Sequence, residues 1–488
     1  MTLFLSHEQR NLWLLFFAAL TVKIILLPFA QTVDCDAVSR IFLSLQWLEN
    51  PHWITNSVWG PFHFYLNGIA LWLYKDHIIT PKLVNILFSC ASIFPFYHFT
   101  KREFDAKGAF FATVLLVISP VLFRNSFQAL AGTPFLFFVI LSMNWISKSL
   151  SENKISFALL SGLAITIAAG FRYEAWLLMA LFFVVVLWRK SWKSAFVFAL
   201  LASVFPFIWT WHTWQETGHL LHPYAPILNA AEPANQNLDF EGWLRKGWYF
   251  PFSWLLCVGP ITAFFILKYI TKIIKNRQEH DTQFHWLLPL FVVLIVFLIK
   301  SFNGSLLNQH RFTGTLVVLS LPFFSYFGSE VFNYRKKLFV AITITTVGLS
   351  YVYNTKGITM IPRLKDKSTL EAAQIIKNNV SENSALIIDF DGWENTWFYA
   401  LRSGLGQKNV IINDGKQSIN LLVKRIDMAI KTYPAGLLVL KKGSELEKIM
   451  LELNQLPLQF TESVFENSNI DIRKYKLLTK EPNPKVFQ

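Results

Sequence analysis

Long apolar stretches separated by short polar segments fill the first 353 residues of this 488-residue chain. A bilayer-spanning helix needs about 20 predominantly apolar residues. Eleven stretches have this character: Leu12–Ala30, Leu83–Thr100, Ala109–Phe123, Thr133–Ser147, Ile155–Phe171, Ala175–Trp188, Ala195–Trp214, Pro251–Leu267, His285–Ile299, Phe312–Gly328 and Leu338–Tyr353. A further stretch, Phe62–Tyr74, is too short to span, and we predict a helix at the membrane interface there. The pattern therefore predicts a polytopic α-helical membrane domain over residues 1–353.

The distribution of Lys and Arg predicts which side of the membrane each polar segment faces. With eleven spans, the segments on one side hold 16 Lys and Arg, against 9 in the longer segments on the other side. Positive residues are retained on the cytoplasmic side. We therefore expect a cytoplasmic amino terminus, a first outer loop at residues 31–61 and an extracytoplasmic segment after Tyr353. The first apolar stretch lacks a small-residue cleavage pattern, so we interpret it as a retained anchor.

Residues 354–488 contain no apolar stretch of spanning length and predict a water-soluble α/β domain. Short β-like runs at Ala385–Asp389, Asn409–Asn413 and Gly436–Leu440 alternate with helical patterns. The helical patterns cover Thr369–Asn378, Asn395–Ser403, Ile419–Thr432 and Ser444–Leu456. The tail from Leu458 to Lys480 predicts a β-hairpin.

Composition supports an integral membrane protein and excludes other classes. The chain is 53% hydrophobic and 16% charged, whereas soluble domains have about 25% charged residues. Its net charge of +14 does not indicate a nucleic-acid partner, because the basic residues lie between apolar stretches and form no tract interleaved with aromatic residues. The three cysteines have the spacing of neither a disulfide framework nor a zinc site.

Two acids follow the first apolar stretch, at the expected membrane boundary. Asp34 and Asp36 lie close together, and a helix that starts near Asp36 would place Arg40 on the same face. One carboxylate could act as a general base, or the pair could hold a divalent cation such as Mg²⁺ or Mn²⁺. The alternative is that either Asp only caps the following helix. His63 is an additional candidate, although the aromatic stretch around it is also typical of a bilayer interface.

The other outer loops contribute cations. Arg124 follows the third apolar stretch, Arg172 and Glu174 separate the fifth from the sixth, and His310-Arg311 precedes the tenth. Arginine suits phosphate because its planar guanidinium makes bidentate contacts. The alternative for Arg172, Glu174 and Arg311 is a helix-end role, by snorkelling or by interaction with the helix dipole. The histidine-containing loop 215–250 lacks zinc-site spacing, which favours a lid over a metal site.

A reaction on a lipid phosphate requires acids, arginines and apolar helices at one face of the membrane. This chain is predicted to have all three at its outer face. Transfer of a sugar from such a lipid needs a base for the acceptor and cations for the departing phosphate. The alternative is a transporter or flippase of a lipid-linked or small substrate. Such proteins tend to place their polar groups at mid-membrane, whereas these charges lie at the boundary.

These residues also resemble the GT-C superfamily, the integral-membrane glycosyltransferases that use polyprenyl- or dolichyl-phosphate sugars. The resemblance covers roughly Asn11–Phe327 and is strongest with relatives of protein O-mannosyltransferases and lipid A aminoarabinose transferases. It rests on Asp34-Cys35-Asp36-Ala37-Val38-Ser39-Arg40, on Trp-Gly-Pro-Phe-His-Phe-Tyr from Trp59 to Tyr65, on Thr100-Lys101-Arg102-Glu103-Phe104, on Phe171 to Trp176 and on Gln309 to Phe312. Members often carry an acid in the second outer loop, where this chain reads Leu130-Ala131-Gly132-Thr133-Pro134.

The resemblance implies a GT-C-like fold and an inverting glycosyltransferase that acts at the extracytoplasmic face. It implies Asp36 as the catalytic base, Asp34 as its neighbour or a metal ligand, and a donor-phosphate site that includes Arg172, Arg311, Arg40 and His310. The implied partners are the bilayer, a polyprenyl-phosphate sugar and an acceptor hydroxyl on a protein, lipid or glycan. A ligase or polymerase that transfers a whole glycan from the lipid is a further alternative.

Overall fold

A computed structural model gives the architecture of the chain. It describes residues 7–30, 35–53, 59–218, 240–303, 305–306, 308–327, 336–355, 366–413, 415, 418–452 and 458–477. These residues form two compact units. The first contains Met1–Leu27, His52–Leu66 and Lys82–Ile361, and the second contains Pro28–Pro51, Asn67–Pro81 and Pro362–Gln488.

Helices account for nearly all of the described structure before residue 356. In chain order they are α1 His7–Leu26, α2 Cys35–Glu49, α3 Phe62–Leu73, α4 Ile79–Ala91, α5 Ile93–Glu103, α6 Ala109–Ile118, α7 Pro120–Asn125, α8 Gly132–Glu152, α9 Ile155–Phe171, α10 Glu174–Trp188, α11 Trp192–Ala202, α12 Val204–Thr217, α13 Phe240–Val258, α14 Pro260–Lys275, α15 Asp281–His285, α16 Leu287–Phe302, α17 Thr313–Ser320 and α18 Lys336–Thr355. Short 3₁₀ helices lie at Leu27–Phe29, His310–Phe312 and Leu321–Phe324.

Several of these helices have the length and apolar composition of membrane spans. Five continuous stretches qualify within the described residues: His7–Phe29, Ile79–Glu103, Gly132–Glu152, Trp192–Thr217 and Asp281–Phe302. The bent pair of α13 and α14 would add a sixth, and α6, α9 and α10 are shorter apolar helices. The predicted helical membrane architecture is confirmed, while the number of eleven spans stays a prediction.

Helix breaks inside the apolar region are stabilised by polar side chains. Helices α13 and α14 meet at an angle of 107°. This bend divides the predicted span Pro251–Leu267 at Gly259, whose φ of 84° suits glycine and precedes a proline that cannot donate a backbone hydrogen bond. The hydroxyl of Ser119, between α6 and α7, donates to the carbonyl of Cys257 at 2.9 Å. The break between α6 and α7 therefore helps to satisfy the backbone near the end of α13.

Small residues let α9 approach its neighbours closely. It packs against α8 and α11, where Ser161 and Ser142 hydroxyls are 2.8 Å apart. At its carboxyl end, the point where Gly170 would carry a Cβ is 2.7 Å from Cε2 of Phe62. A Cβ on Gly60 would likewise collide with the carbonyl oxygen of Gly170. The amino end of α3 is thus pressed against the end of α9, directly before Arg172.

The carboxyl-terminal part of the second unit is a five-stranded sheet with helices, as predicted. Its strands are β1 Ala385–Ile388, β2 Val410–Ile412, β3 Ala435–Lys441, β4 Leu458–Glu466 and β5 Ile470–Leu477, in the order β2-β1-β3-β5-β4. Strands β2, β1 and β3 are parallel, and β4 and β5 form an antiparallel hairpin. The helices are α19 Lys367–Asn379, α20 Trp393–Arg402, α21 Ile419–Thr432 and the short α22 Glu445–Glu447, after which the predicted fourth helix continues as a π-helix at Lys448–Glu452.

Two earlier segments of the chain belong to this second unit as well. The carboxylate of Asp76 accepts a hydrogen bond from Arg402 at 3.0 Å, and Glu49 at the end of α2 accepts one from Lys408 at 3.1 Å. Within this unit, α2, in the predicted first outer loop, also contacts α20. The predicted division of the chain at residues 353 and 354 stays a prediction.

The contact between Gly170 and Phe62 makes a prediction about stability. Alanine favours a helix over glycine by about 1 kcal/mol. We nevertheless expect Gly170→Ala to lower the thermal stability, because overpacking against the Phe62 ring costs about 1–3 kcal/mol. Thermal unfolding of the purified protein in detergent measures the difference.

The matched control is Gly348→Ala in α18, where a Cβ would meet nothing within 4 Å. This variant should be as stable as the wild type or slightly more stable. A rise in unfolding temperature for both variants would show that the α9–α3 contact is looser than the distances indicate.

Candidate functional site

The turn between α7 and α8 presents Arg124, which is buried at the end of α7. Side chains from elsewhere satisfy the backbone of this turn. The amide of Asn85 on α4 donates to the carbonyls of Gln128 and Leu130, and the Thr133 hydroxyl donates to the carbonyl of Asn125 at 3.0 Å. These hydrogen bonds therefore hold the turn that follows Arg124 in place within the first unit.

The turn between α9 and α10 carries Arg172 and Glu174. Arg172 has an extended backbone and caps α9, while Glu174 is the first residue of α10. The two side chains form an ion pair in which Nε and Nη2 of Arg172 donate to the Glu174 carboxylate. The guanidinium carbon also lies 4.8 Å from the ring centre of Phe312 and 5.8 Å from that of Phe135.

The 3₁₀ helix at His310–Phe312 carries His310 and Arg311. Nδ1 of His310 lies 2.7 Å from the hydroxyl of Ser253 on α13, and that hydroxyl is 2.9 Å from the hydroxyl of Thr313. Burial, together with the positive charge of Arg124, lowers the pKa of His310 from 6.5 to about 4. His310 is therefore neutral at physiological pH and is held as a hydrogen-bonding group.

Short contacts join these three segments into one group. The amide of Asn125 donates to the carbonyl of Arg311 at 3.4 Å. Gly132, at the start of α8, faces Arg172, with 3.7 Å between Nη1 and the point where a Cβ would stand. The first unit thus brings together three predicted arginines, Arg124, Arg172 and Arg311, which we term the arginine cluster.

The amino end of α3 lies beside this group within the same unit. The ring of Phe62 packs edge-on against Phe171 at 6.1 Å, one residue before Arg172. The predicted candidate His63 follows Phe62 and is fully buried. The structure therefore positions His63 on the element that supports the Arg172 turn.

The predicted base, Asp36, falls in the second unit. Helix α2 begins at Cys35, so Asp36 is its second residue and does not hold the N-cap position. The carboxylate lies in the first turn, where the helix dipole favours negative charge. Arg40, one turn further along α2, is buried. Asp34 lies outside the described residues, as does most of the predicted lid at 215–250.

Comparison with known proteins gives a consistent result. Residues 58–214 match a family model described as dolichyl-phosphate-mannose-protein mannosyltransferase. The matched range includes Arg124, Arg172 and Glu174 and ends before Arg311. Among solved structures, the fold is similar to the Archaeoglobus fulgidus oligosaccharyltransferase in complex with Zn and sulfate, at 13% identity over 87% of this chain and 67% of that chain, with a TM-score of 0.50. The chain therefore resembles the GT-C glycosyltransferases in this part of its sequence and in its fold.

Two further solved structures are similar to the chain. ArnT from Cupriavidus metallidurans bound to undecaprenyl phosphate is 14% identical over 94% of this chain and 97% of that chain, with a TM-score of 0.49. The Saccharomyces cerevisiae Pmt1-Pmt2 complex bound to the sugar donor is 13% identical over 45% of this chain and 36% of that chain, with a TM-score of 0.36. No curated protein sequence matches the chain. The predicted resemblance to the GT-C superfamily is confirmed.

The arginine cluster has the chemistry of an anion site. The segments that carry the three arginines adjoin where apolar helices end, and the Glu174 carboxylate pairs with one of the three, Arg172. Cations in such surroundings are costly unless they are paired. A phosphate would offset that cost, since arginine binds it through paired, charge-assisted hydrogen bonds.

Sequence reasoning missed two polar residues that contact the same segments. Lys23 on α1 is buried, donates to the Ser89 hydroxyl at 2.6 Å and lies 5.6 Å from the ring centre of Phe123, the residue before Arg124. Ser253 links His310 to α17. Both are single polar residues inside apolar stretches, and that isolation is the signal that could have identified them.

A metal site does not follow from the described residues. Within the described ranges, no three His, Cys, Asp or Glu side chains are grouped closely enough to hold a metal ion. Asp36 is the only one of the two predicted metal ligands within those ranges, because Asp34 lies outside them.

The lowered pKa of His310 makes a prediction about pH dependence. In the unfolded chain the imidazole takes up a proton below about pH 6.5, whereas in the folded protein it does so only near pH 4. The free energy of unfolding should therefore decrease as the pH falls from 6.5 toward 4, since the unfolded state binds more protons in that range. His310→Gln keeps a side chain able to hydrogen-bond and should show a smaller loss of thermal stability between pH 7 and pH 5 than the wild type.

The control is His7→Gln, which alters an exposed residue of α1 and should retain the wild-type pH dependence. Some dependence will remain in His310→Gln, because burial also lowers the pKa of His77 to about 4. Equal losses in the wild type and His310→Gln would mean that folded His310 is protonated in this range.

Proposed function

We propose that the chain is a membrane glycosyltransferase that moves a sugar from a polyprenyl-phosphate donor to an acceptor hydroxyl by inverting displacement. The reaction takes place at the extracytoplasmic face. The arginine cluster is the observation that supports this proposal most directly. Its three arginines lie at three separate helix breaks in a chain of GT-C-like fold.

The donor follows from the chemistry of the cluster. Three arginines at the ends of apolar helices suit a phosphate whose lipid tail lies between those helices. The family model that matches residues 58–214 is itself named for a lipid-phosphate sugar. In this proposal Arg172 and Arg311 bind the phosphate, Arg124 adds positive charge, and neutral His310 positions the segment that carries Arg311. Arg40 is a further ligand of the phosphate.

The base in this proposal is Asp36. It lies in the first turn of α2, on the loop that the Lys and Arg distribution predicts to be extracytoplasmic. A carboxylate there can accept the proton of an incoming hydroxyl. Asp34 is its neighbour, and the two are the residues that would hold a divalent cation, Mg²⁺ or Mn²⁺, in an enzyme of this kind that uses one.

The proposed step forms one bond and breaks another. The acceptor oxygen loses its proton to Asp36 and attacks the anomeric carbon on the face opposite the phosphate. The bond between that carbon and the phosphate oxygen breaks, and the lipid phosphate leaves with the electron pair. Arg172 and Arg311 stabilise its developing negative charge, as preorganised donors do in other transfer reactions. One displacement inverts the configuration of the anomeric carbon.

Replacement of Asp36 tests the base. Asp36→Asn should reduce kcat by about 10²–10⁴-fold, the range that general-base catalysis contributes. The assay is transfer from a panel of radiolabelled polyprenyl-phosphate sugars by protein purified in detergent, with the configuration of the product recorded. The matched control is Glu49→Gln on the same helix, because its exposed ion pair with Lys408 contributes little to stability.

Each outcome of this assay has a different meaning. Inverting transfer by the wild type and wild-type turnover by Asp36→Asn would keep the function and reject the base. Binding of a lipid-linked sugar without transfer or hydrolysis would favour a flippase. Transfer from lipid-linked oligosaccharides only would indicate a glycan ligase or polymerase.

Replacement of the arginines tests the phosphate site separately. Arg172→Gln and Arg311→Gln should each lower kcat by about 10²–10³-fold, as removal of a transition-state donor does. Arg277→Gln is the control, since Arg277 is exposed and packs on Trp188 and Phe284. A change in KM alone for both cluster variants would show that these arginines bind the donor without stabilising its departure.

A further inference from the structure

A second group of cations lies on α14, among residues that the proposed transfer reaction does not use. The helix borders an open cavity of about 670 Å³ in the first unit, a volume typical of a site for a small molecule. Its lining includes three lysines and three apolar residues: Lys268, Lys272, Lys275, Phe264, Leu267 and Phe327. We call this cavity the lysine groove.

The lysines and the apolar residues of α14 occupy successive parts of one helical face. Phe264, Lys268, Lys272 and Lys275 are separated by four, four and three residues, which places them in one row along the helix. Phe264 and Leu267, 62% and 54% exposed, form the apolar end of this row, and the lysines form the other end. At 1.5 Å per residue, the row extends about 16 Å. The face thus passes from hydrocarbon-like to cationic along its length.

Aromatic rings contact two of the three lysines without neutralising them. Nζ of Lys272 donates to the Tyr326 hydroxyl at 2.6 Å, and the Tyr326 ring stacks on Tyr269 with 4.6 Å between ring centres. Nζ of Lys268 lies 5.4 Å from the ring centre of Phe327. Within the described part of the chain, none of the three lysines has a salt-bridge partner. Cation–π contacts leave the charge available for an anion.

We propose that the lysine groove binds an anionic phospholipid. Its phosphodiester would contact Lys268, Lys272 and Lys275, and one acyl chain would lie along Phe264, Leu267 and Phe327. A soluble anion would use only the cationic half, and an uncharged lipid only the apolar half. A basic pocket at the end of an apolar helix matches both halves of an anionic phospholipid. This inference is independent of the proposed glycosyltransferase activity.

Native mass spectrometry of the full chain, released from micelles that contain defined lipid, tests the proposal. The probes are phosphatidylglycerol and phosphatidylcholine with the same acyl chains. We expect the wild type to bind phosphatidylglycerol on the order of 10-fold more tightly than phosphatidylcholine, and added salt to reduce the difference. The triple variant Lys268→Gln, Lys272→Gln and Lys275→Gln should bind the two lipids equally.

Two further triple variants separate this site from charge in general. Replacement of the same three lysines by arginine should retain the preference. The matched control replaces Lys148, Lys154 and Lys193 by glutamine, because Lys148 also lies on an aromatic ring, that of Phe157, but has the carboxylate of Glu152 as a partner. This control should retain the preference as well. Thermal unfolding without added lipid verifies that all three triple variants are folded.

The contrary results are equally specific. Equal affinity of the wild type for the two lipids would overturn the proposal. An equal loss in the control variant would assign the preference to overall charge. Displacement of phosphatidylglycerol by millimolar inorganic phosphate would mean that the acyl chain contributes nothing and that the groove is a simple phosphate site.

Discussion

Wherever a helix stops inside an apolar bundle, its freed backbone groups must find partners within the protein, and this constraint shapes the first unit. Asn85 satisfies the α7–α8 turn, Ser119 satisfies the end of α13, and Ser253 ties the 3₁₀ helix at His310–Phe312 to its neighbours. Thr166 satisfies the backbone at the junction of α11 and α12. Its hydroxyl donates to the Ala202 carbonyl and accepts from the backbone N–H of Phe205. Single polar side chains on neighbouring segments therefore stabilise the places where helices end.

The arginine cluster lies on these breaks, and the coincidence has a physical basis. A cation in mid-helix would face lipid or tightly packed side chains, whereas a break leaves room for a guanidinium and for a ligand beside it. Arg124 ends α7, Arg172 separates α9 from α10, and Arg311 precedes α17. The polar residues that satisfy the backbone at these breaks thus also fix the positions of the arginines. A phosphate bound there would contact side chains with little freedom to move.

Sequence alone was informative where charge or periodicity changes abruptly. The arginines stood at the ends of apolar stretches, and helix α21 at Ile419–Thr432 coincides with its prediction because its apolar residues recur at helical spacing. The bend at Gly259 was missed because a Gly-Pro pair in an apolar run reads as part of a continuous span. The pairing of Asp76 with Arg402 joins residues 326 positions apart, and one sequence contains no signal for such a contact.

Outside the arginine cluster, where Glu174 already pairs with Arg172, the cations differ in the kind of partner they have. Arg189 pairs with buried Glu103 at 3.0 Å, and Arg402 pairs with Asp76, so these positive charges are neutralised within the fold. Lys23 and Lys272 instead contact a hydroxyl and an aromatic ring, and neither has a salt-bridge partner in the described part of the chain. A ring stabilises a cation through its quadrupole and leaves the net charge intact. In apolar surroundings, such a charge is best satisfied by an anion that arrives with the membrane lipid.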